Sequence, residues 1–175
     1  MKRWVVWLPL LGAALLFAVV GYALWKPQDR TVRSAMIGKP MPAITLPAAI
    51  PGKLGYEPAR LASGSPRLVN VFASWCVPCA AESPQLMALK QAGITIDGLA
   101  IRDKPADVAD FLARYGDPYA SIGDDRNARV QLSLGSSGVP ESFVVDGKGR
   151  IVLQHVGDIR ADDVPAIIAA VRDAQ

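Results

Sequence analysis

The chain of 175 residues has two cysteines, and they stand three positions apart in the run Trp75-Cys76-Val77-Pro78-Cys79. The stretch before them, Leu68 to Ala73, is apolar and strand-like, and the stretch after them has helical character. A cysteine at such a junction meets the unpaired N–H groups and the partial positive charge of a helix N-terminus, which favour its thiolate. Cys76 is therefore the expected nucleophile. Two intervening residues let Cys79 turn back on Cys76, so Cys79 is the expected resolving thiol for a mixed disulfide with a partner. A tetrahedral structural zinc site needs four Cys or His ligands, whereas the chain supplies two Cys and one distant histidine, His155. No metal is expected. A purely structural disulfide gains stability from closing a long loop, and this pair encloses almost nothing. The redox reading is the stronger one, and it requires no cofactor beyond the Cys76–Cys79 disulfide itself.

The surrounding elements must hold this pair in place. Arg67 to Ala73 is a near-continuous run of apolar and β-forming residues, as expected for a central strand buried on both faces. A helix follows to about Gln91, with Pro84 inside it and Gly93 as a stop. Ile94 to Ile101 reads as a second strand. Pro105 to Tyr115 carries Val108, Phe111, Leu112 and Tyr115 at helical spacing. Asp124 to Leu134 reads as a short helix, Ser142 to Asp146 and Arg150 to Val156 as strands joined by a Gly147-Lys148-Gly149 turn, and Val164 to Val171 as a terminal helix. Met41 to Leu61 suggests short strands and turns. This order implies an α/β fold, a three-layer α/β/α sandwich with a mixed sheet.

Trp4 to Trp25 contains no charged residue, and its 22 residues suffice for a helix to cross a hydrocarbon core of ~30 Å. Trp4, Trp7, Tyr22 and Trp25 sit at the ends of this span, where amphipathic rings prefer the headgroup level. The expected organisation is a short cytoplasmic N-terminus (1–3), a transmembrane signal anchor (4–25), a linker (26–36) and one globular domain (37–175), with the lipid bilayer as a partner through residues 4–25. Lys2 and Arg3 are matched by Lys26, Arg30, Arg33 and Lys39 beyond the span, so charge counting leaves orientation open. Large following domains translocate largely regardless of charge, which places the domain outside the cytoplasm. Lys2 and Arg3 also supply two of the net +3 charge. No nucleic-acid partner is expected.

The strand leading into Trp75-Cys76-Val77-Pro78-Cys79, together with Gly138-Val139-Pro140 just before the hairpin, resembles the thioredoxin fold. Further motifs narrow the likeness: Ile37-Gly38-Lys39-Pro40 at the domain's entry, Asn70-Val71-Phe72-Ala73-Ser74-Trp75-Cys76, Glu82, Gly138-Val139-Pro140-Glu141-Ser142-Phe143 and His155-Val156-Gly157-Asp158. They resemble the membrane-anchored thiol:disulfide interchange proteins of cytochrome c maturation, the DsbE/CcmG type. The resemblance implies a single-pass protein of the bacterial inner membrane with its catalytic domain in the periplasm. It would act as a protein-disulfide reductase on apocytochrome c or its haem-ligation partner, re-reduced by a transmembrane thiol reductant. It also implies that Pro140 follows a cis peptide bond beside the cysteines, so that Trp75, Val139 and Pro140 form the substrate-binding surface.

Thioredoxins carry a buried acid six residues before the first cysteine, and here that position is Asn70. Another group must assist proton removal from Cys79, and Glu82 and Glu141 are the candidates. The alternatives are a first-turn acid complementing the helix dipole for Glu82 and a solvated strand-edge carboxylate for Glu141. His155 is left out of the site. Three competing readings remain: a general periplasmic thiol reductase or oxidant of another pathway, a copper-binding metallochaperone using both thiolates and His155, and a redox-silent tethered adapter.

Overall fold

The computed structural model describes residues 7–25, 35–136 and 138–175. The chain divides into two units, 1–30 and 31–175. In the first, α1 (Trp7–Trp25) is a 19-residue helix with Leu10, Leu11, Leu15, Leu16 and Phe17 exposed. At ~1.5 Å per residue it is roughly 28 Å long, and among the described residues no helix is long and apolar enough to cross a membrane. Residues 4–6 of the expected anchor, and residues 26–34 of the linker, lie outside the described residues.

The second unit is built on β1 (Arg67–Phe72), β2 (Ile96–Ile101), β3 (Ser121–Asp125), β4 (Glu141–Val145) and β5 (Ile151–Val156). They form one sheet in the order β3-β2-β1-β4-β5. β1 pairs parallel with β2, and β2 with β3, whereas β4 runs antiparallel to both β1 and β5. The mixed sheet follows from the connections: helices carry the chain between parallel neighbours, and a tight turn joins β4 to β5. Leu68 to Phe72 are all buried, as befits the central strand.

Alternation along β1 divides the sheet's faces. Asn70 and Phe72 point one way: Asn70 bonds Glu82 of α3 (Val77–Gln91), and the Phe72 ring lies 5.8 Å from that of Phe111 in α4 (Pro105–Tyr115). Two successive crossovers in the same direction and of the same hand put both helices on one face, and α6 (Val164–Asp173) joins them against β4 and α3. The other face is covered by the chain before β1, which contains α2 (Pro58–Leu61) and buries Leu46, Tyr56 and Leu61. Its expected short strands are isolated bridges, such as Leu46 with Tyr56 and Ala48 with Gly123.

One expectation is corrected. Asp124 to Leu134 is not a helix throughout: its first two residues end the edge strand β3, and α5 covers only Arg129–Ser133. The strand has one strong β-former, Ile122, and Gly123 is required because a Cβ there would lie 2.6 Å from the Cβ of Tyr56. Asp125 then accepts hydrogen bonds from the backbone of Arg129 and Gln131, starting α5 from the strand's end.

Gly98 of β2 packs under the Phe72 and Tyr119 rings, whose centroids are 4.7 Å apart. A Cβ there would stand 2.9 Å from Phe72 Cε1 and 3.0 Å from Tyr119 Cδ1. Gly98→Ala is therefore expected to cost about 1–3 kcal/mol by overpacking, read as a lower guanidinium unfolding midpoint at unchanged slope.

Candidate active site

Cys76 is the N-cap of α3, with extended backbone, and its Sγ accepts a hydrogen bond from Cys79 N at 3.1 Å. The sulfur thus takes the place a capping oxygen usually holds. Pro78 occupies the first turn, where a missing N–H breaks no helical bond. Cys76 and Cys79 are joined in a disulfide with their Cα atoms 5.3 Å apart. Both are buried, at 5 % and 2 % exposure, whereas the adjacent Trp75 and Val77 are 57 % and 79 % exposed. An exposed apolar rim therefore flanks a buried sulfur pair.

The loop before Cys76 is tied to the corner between β2 and α4. Asp103 accepts hydrogen bonds from Ser74 N at 2.5 Å, from Ser74 Oγ at 2.7 Å and from Lys104 N at 2.9 Å. The Trp75 indole Nε1 donates to Arg102 O at 3.3 Å, and Arg102 has a φ of 48°. Sequence reasoning missed Asp103. Its place two residues before Pro105 signals a helix-start acid, but nothing local says that it also fastens a loop 29 residues earlier.

β4 begins immediately after Pro140, and its first residue Glu141 pairs with Val71 near the end of β1. The antiparallel pairing therefore brings the Gly138-Val139-Pro140 segment to the sheet end from which Cys76 departs. The Val139–Pro140 peptide bond is cis. Pro140 O accepts from Gly157 N, and Gly138 O from Ser136 Oγ, while Val139 is half-buried.

Glu82 follows Cys79 by three residues on α3, and it lies in the helix's second turn with no exposed surface. The reading of Glu82 as a first-turn acid complementing the helix dipole is thus corrected. Its Oε1 accepts from Asn70 Nδ2 and its Oε2 from Ile159 N, each at 2.9 Å. Burial raises the carboxyl, the hydrogen bonds from Ile159 and Asn70 pull it partly back, and the charge of Asp158 adds to the rise, which together place it at about 7. A carboxyl so placed can change protonation near neutrality.

Glu141 is also buried, at 1 % exposure, so the solvated strand-edge reading is corrected. Gln154 Nε2 donates to its Oε1, and its Oε2 has no hydrogen-bond partner among the described residues. The structure does not bring the two acids together. Ser142 shares Asn70's face through a hydrogen bond, so Glu141, one residue earlier on the strand, faces the opposite layer from Glu82. His155 keeps to its own surroundings, with Nε2 at 3.2 Å from Asp158 O and 3.8 Å from Asp163 Oδ2. Among the described residues there is no group of three or more metal-ligating side chains.

Residues 36–171 match the Redoxin family. The chain belongs to this family. It is 38 % identical over 162 residues to the thiol:disulfide interchange protein HelX of Rhodobacter capsulatus, covering 93 % of this chain and 92 % of the relative. It is 35 % identical over 167 residues to the thiol:disulfide interchange protein DsbE of Escherichia coli, covering 91 % and 88 % respectively. A crystal structure of a thiol:disulfide interchange protein of the thioredoxin family from Chlorobium tepidum superposes with a TM-score of 0.61 at 26 % identity, covering 77 % of this chain and 94 % of that one. This Redoxin member is accordingly a DsbE-type thiol–disulfide oxidoreductase with a thioredoxin-like fold, and its two cysteines are the pair available for that chemistry.

The Glu82 carboxyl is expected to make the stability of the DsbE-type domain depend on pH. Because its folded value, about 7, lies above its ordinary 4.5, folding favours the protonated form. The associated stability is complete below about 4.5 and is lost as pH rises through about 7. The oxidised protein should lose on the order of 3 kcal/mol across that window, and Glu82→Gln should flatten the profile. Denaturant titrations at pH 5 and pH 8 measure both.

Proposed function

We propose that the protein is a membrane-anchored periplasmic reductant of cytochrome c biogenesis. Reduced Cys76 attacks a disulfide of apocytochrome c or of its haem-ligation partner, forming a mixed disulfide and releasing one partner thiolate. Cys79, as its proton passes to Glu82, attacks Cys76 Sγ and releases the second partner thiolate. Two electrons leave with the partner, which is reduced, and the Cys76–Cys79 disulfide is left for a transmembrane thiol reductant to reduce again. The exposed Trp75 and half-buried Val139, beside Pro140, offer an apolar surface and backbone groups to an extended substrate segment.

The observation that carries this reading is the sulfur pair at the α3 N-terminus with a buried carboxyl one turn beyond Cys79. It gives the nucleophile a stabilised thiolate and the resolving thiol a proton acceptor. The choice of partner follows the motif likeness to cytochrome c maturation proteins. Anchoring through residues 4–25 is supported by the uncharged run from Trp4 to Trp25 and by the exposed apolar side chains of α1.

The reduction potential of the full chain in detergent, titrated against glutathione and dithiothreitol, is expected at or below about −180 mV, whereas a value near about −120 mV would mark an oxidant and overturn the reductant role. Cys79→Ser should accumulate a mixed disulfide with its partner on non-reducing gels, and Cys76→Ser should accumulate none. A C-terminal alkaline phosphatase fusion should be active outside the cytoplasm; a fusion active only inside would overturn the proposed orientation.

A further inference from the structure

Four hydrogen bonds link five buried residues from the α4–β3 connection to the segment after β5. Tyr119 OH donates to Asn70 Oδ1 at 2.7 Å. Asn70 Nδ2 donates to Glu82 Oε1 at 2.9 Å and to Ser142 Oγ at 3.0 Å, and Ile159 N donates to Glu82 Oε2 at 2.9 Å. Tyr119, Asn70, Glu82, Ser142 and Ile159 are all buried.

The sense of this network is one-way. Each oxygen of Glu82 accepts a hydrogen bond from an N–H donor, so both contacts favour the ionised carboxylate. A carboxamide can present either its nitrogen or its oxygen to a neighbour. Turned about, Asn70 would offer Glu82 an acceptor and so favour the protonated acid. The Tyr119 hydroxyl opposes that turn. Its proton bonds to Asn70 Oδ1, and if it accepted from Asn70 instead, a buried O–H would lose its partner, at a cost typical of an unsatisfied donor. Burial, with the charges of Glu82 and Asp117, holds the Tyr119 phenol well above its usual range, so it remains a donor at working pH. The groups that meet Glu82 are Asn70 from β1, with Ser142 of β4 and Tyr119 behind it, and Ile159 N together with the Asp158 charge from the segment after β5. Cys79 precedes it on its own helix.

We propose that Tyr119 is a positioning residue for thiol–disulfide exchange: it fixes the Asn70 carboxamide so that Glu82 faces only donors and is kept ready to take the proton of Cys79. This rests on the reading of Glu82 as the proton acceptor. Gly98 supports the placement, since its missing Cβ leaves room for the Tyr119 ring over β2.

The test uses the full chain in detergent, as wild type, Tyr119→Phe, Glu82→Gln and the double variant. The Glu82 carboxyl carbon is followed by NMR against pH, and the exchange rate of the dithiol with a model disulfide is followed over the same range. Tyr119→Phe should raise the Glu82 midpoint by roughly one pH unit, shift the exchange profile in the same direction, and shift nothing in the Glu82→Gln background. A folded Tyr119→Phe protein with an unmoved Glu82 midpoint overturns the proposal. If Glu82→Gln leaves the exchange profile unchanged, the proton-acceptor reading fails, and with it the catalytic part of the proposal; the carboxyl titration still decides separately whether Tyr119 orients Asn70. Should Tyr119→Phe fail to fold, 4-fluorophenylalanine at position 119 fills the place of the hydroxyl without donating. It should raise the midpoint, and an unmoved midpoint again overturns the proposal.

Discussion

The burial of the Glu82 carboxyl against the central strand constrains everything around the sulfur pair. A carboxylate removed from water costs several kcal/mol unless fixed donors replace the solvent. Here the donors come from two directions, the Asn70 side chain on β1 and the Ile159 backbone after β5. Those groups meet only if α3 lies across β1 and the chain after β5 closes over the same face. The contacts that hold the carboxyl are therefore the contacts that bring α3, β1 and the β5–α6 connection together. The protonation of this group and the packing of the layer are one problem, and the near-neutral value that results is a balance between desolvation and two hydrogen bonds.

The sulfur end of α3 solves a different problem by the same means. Cys76 must exchange with a partner's sulfur, yet its thiolate must be stabilised. The N-cap position meets the second demand, because the Cys79 N–H at the helix end points at Cys76 Sγ. Asp103 fastens Ser74, and through it the approach to Cys76, to the corner after β2. Trp75 is held at its indole nitrogen while much of its ring stays exposed. A rim anchored at one edge can meet a partner without first being ordered, which lowers the entropic cost of forming the mixed disulfide.

The central strand, the cysteine-bearing helix and the β4–β5 hairpin could be read from sequence because each has a strong local signal: an apolar run, a helix start, a glycine turn. β3 could not, because Ser121-Ile122-Gly123-Asp124-Asp125 gains its strand character from pairing with β2 and from the fit of Tyr56 over Gly123. The two cysteines and Glu82 were apparent from spacing along one helix. Tyr119 and Ser142 were not, since they reach Asn70 from 49 and 72 residues away. The opposite facing of Glu82 and Glu141 depends on strand register, which a single residue's slip would reverse.

Asparagine at position 70 follows from the acid at position 82. The thioredoxin pattern places a buried acid at the position Asn70 occupies, on the strand that feeds the first cysteine. Had this chain kept an acid there beside Glu82, two carboxyls would face one another at the 2.9 Å that now separates Asn70 Nδ2 from Glu82 Oε1. They would share one proton, and their titrations would be driven apart. An acid on α3 with an amide on the strand puts one carboxyl rather than two at this contact, with a neutral donor in place of a competing charge. The amide adds a condition that an acid would not: its two ends differ, so something must choose between them. The choice falls to the Tyr119 hydroxyl, the donor that faces its oxygen, and this makes an aromatic residue on the connection leading into the edge strand part of the proton chemistry at the centre of the sheet.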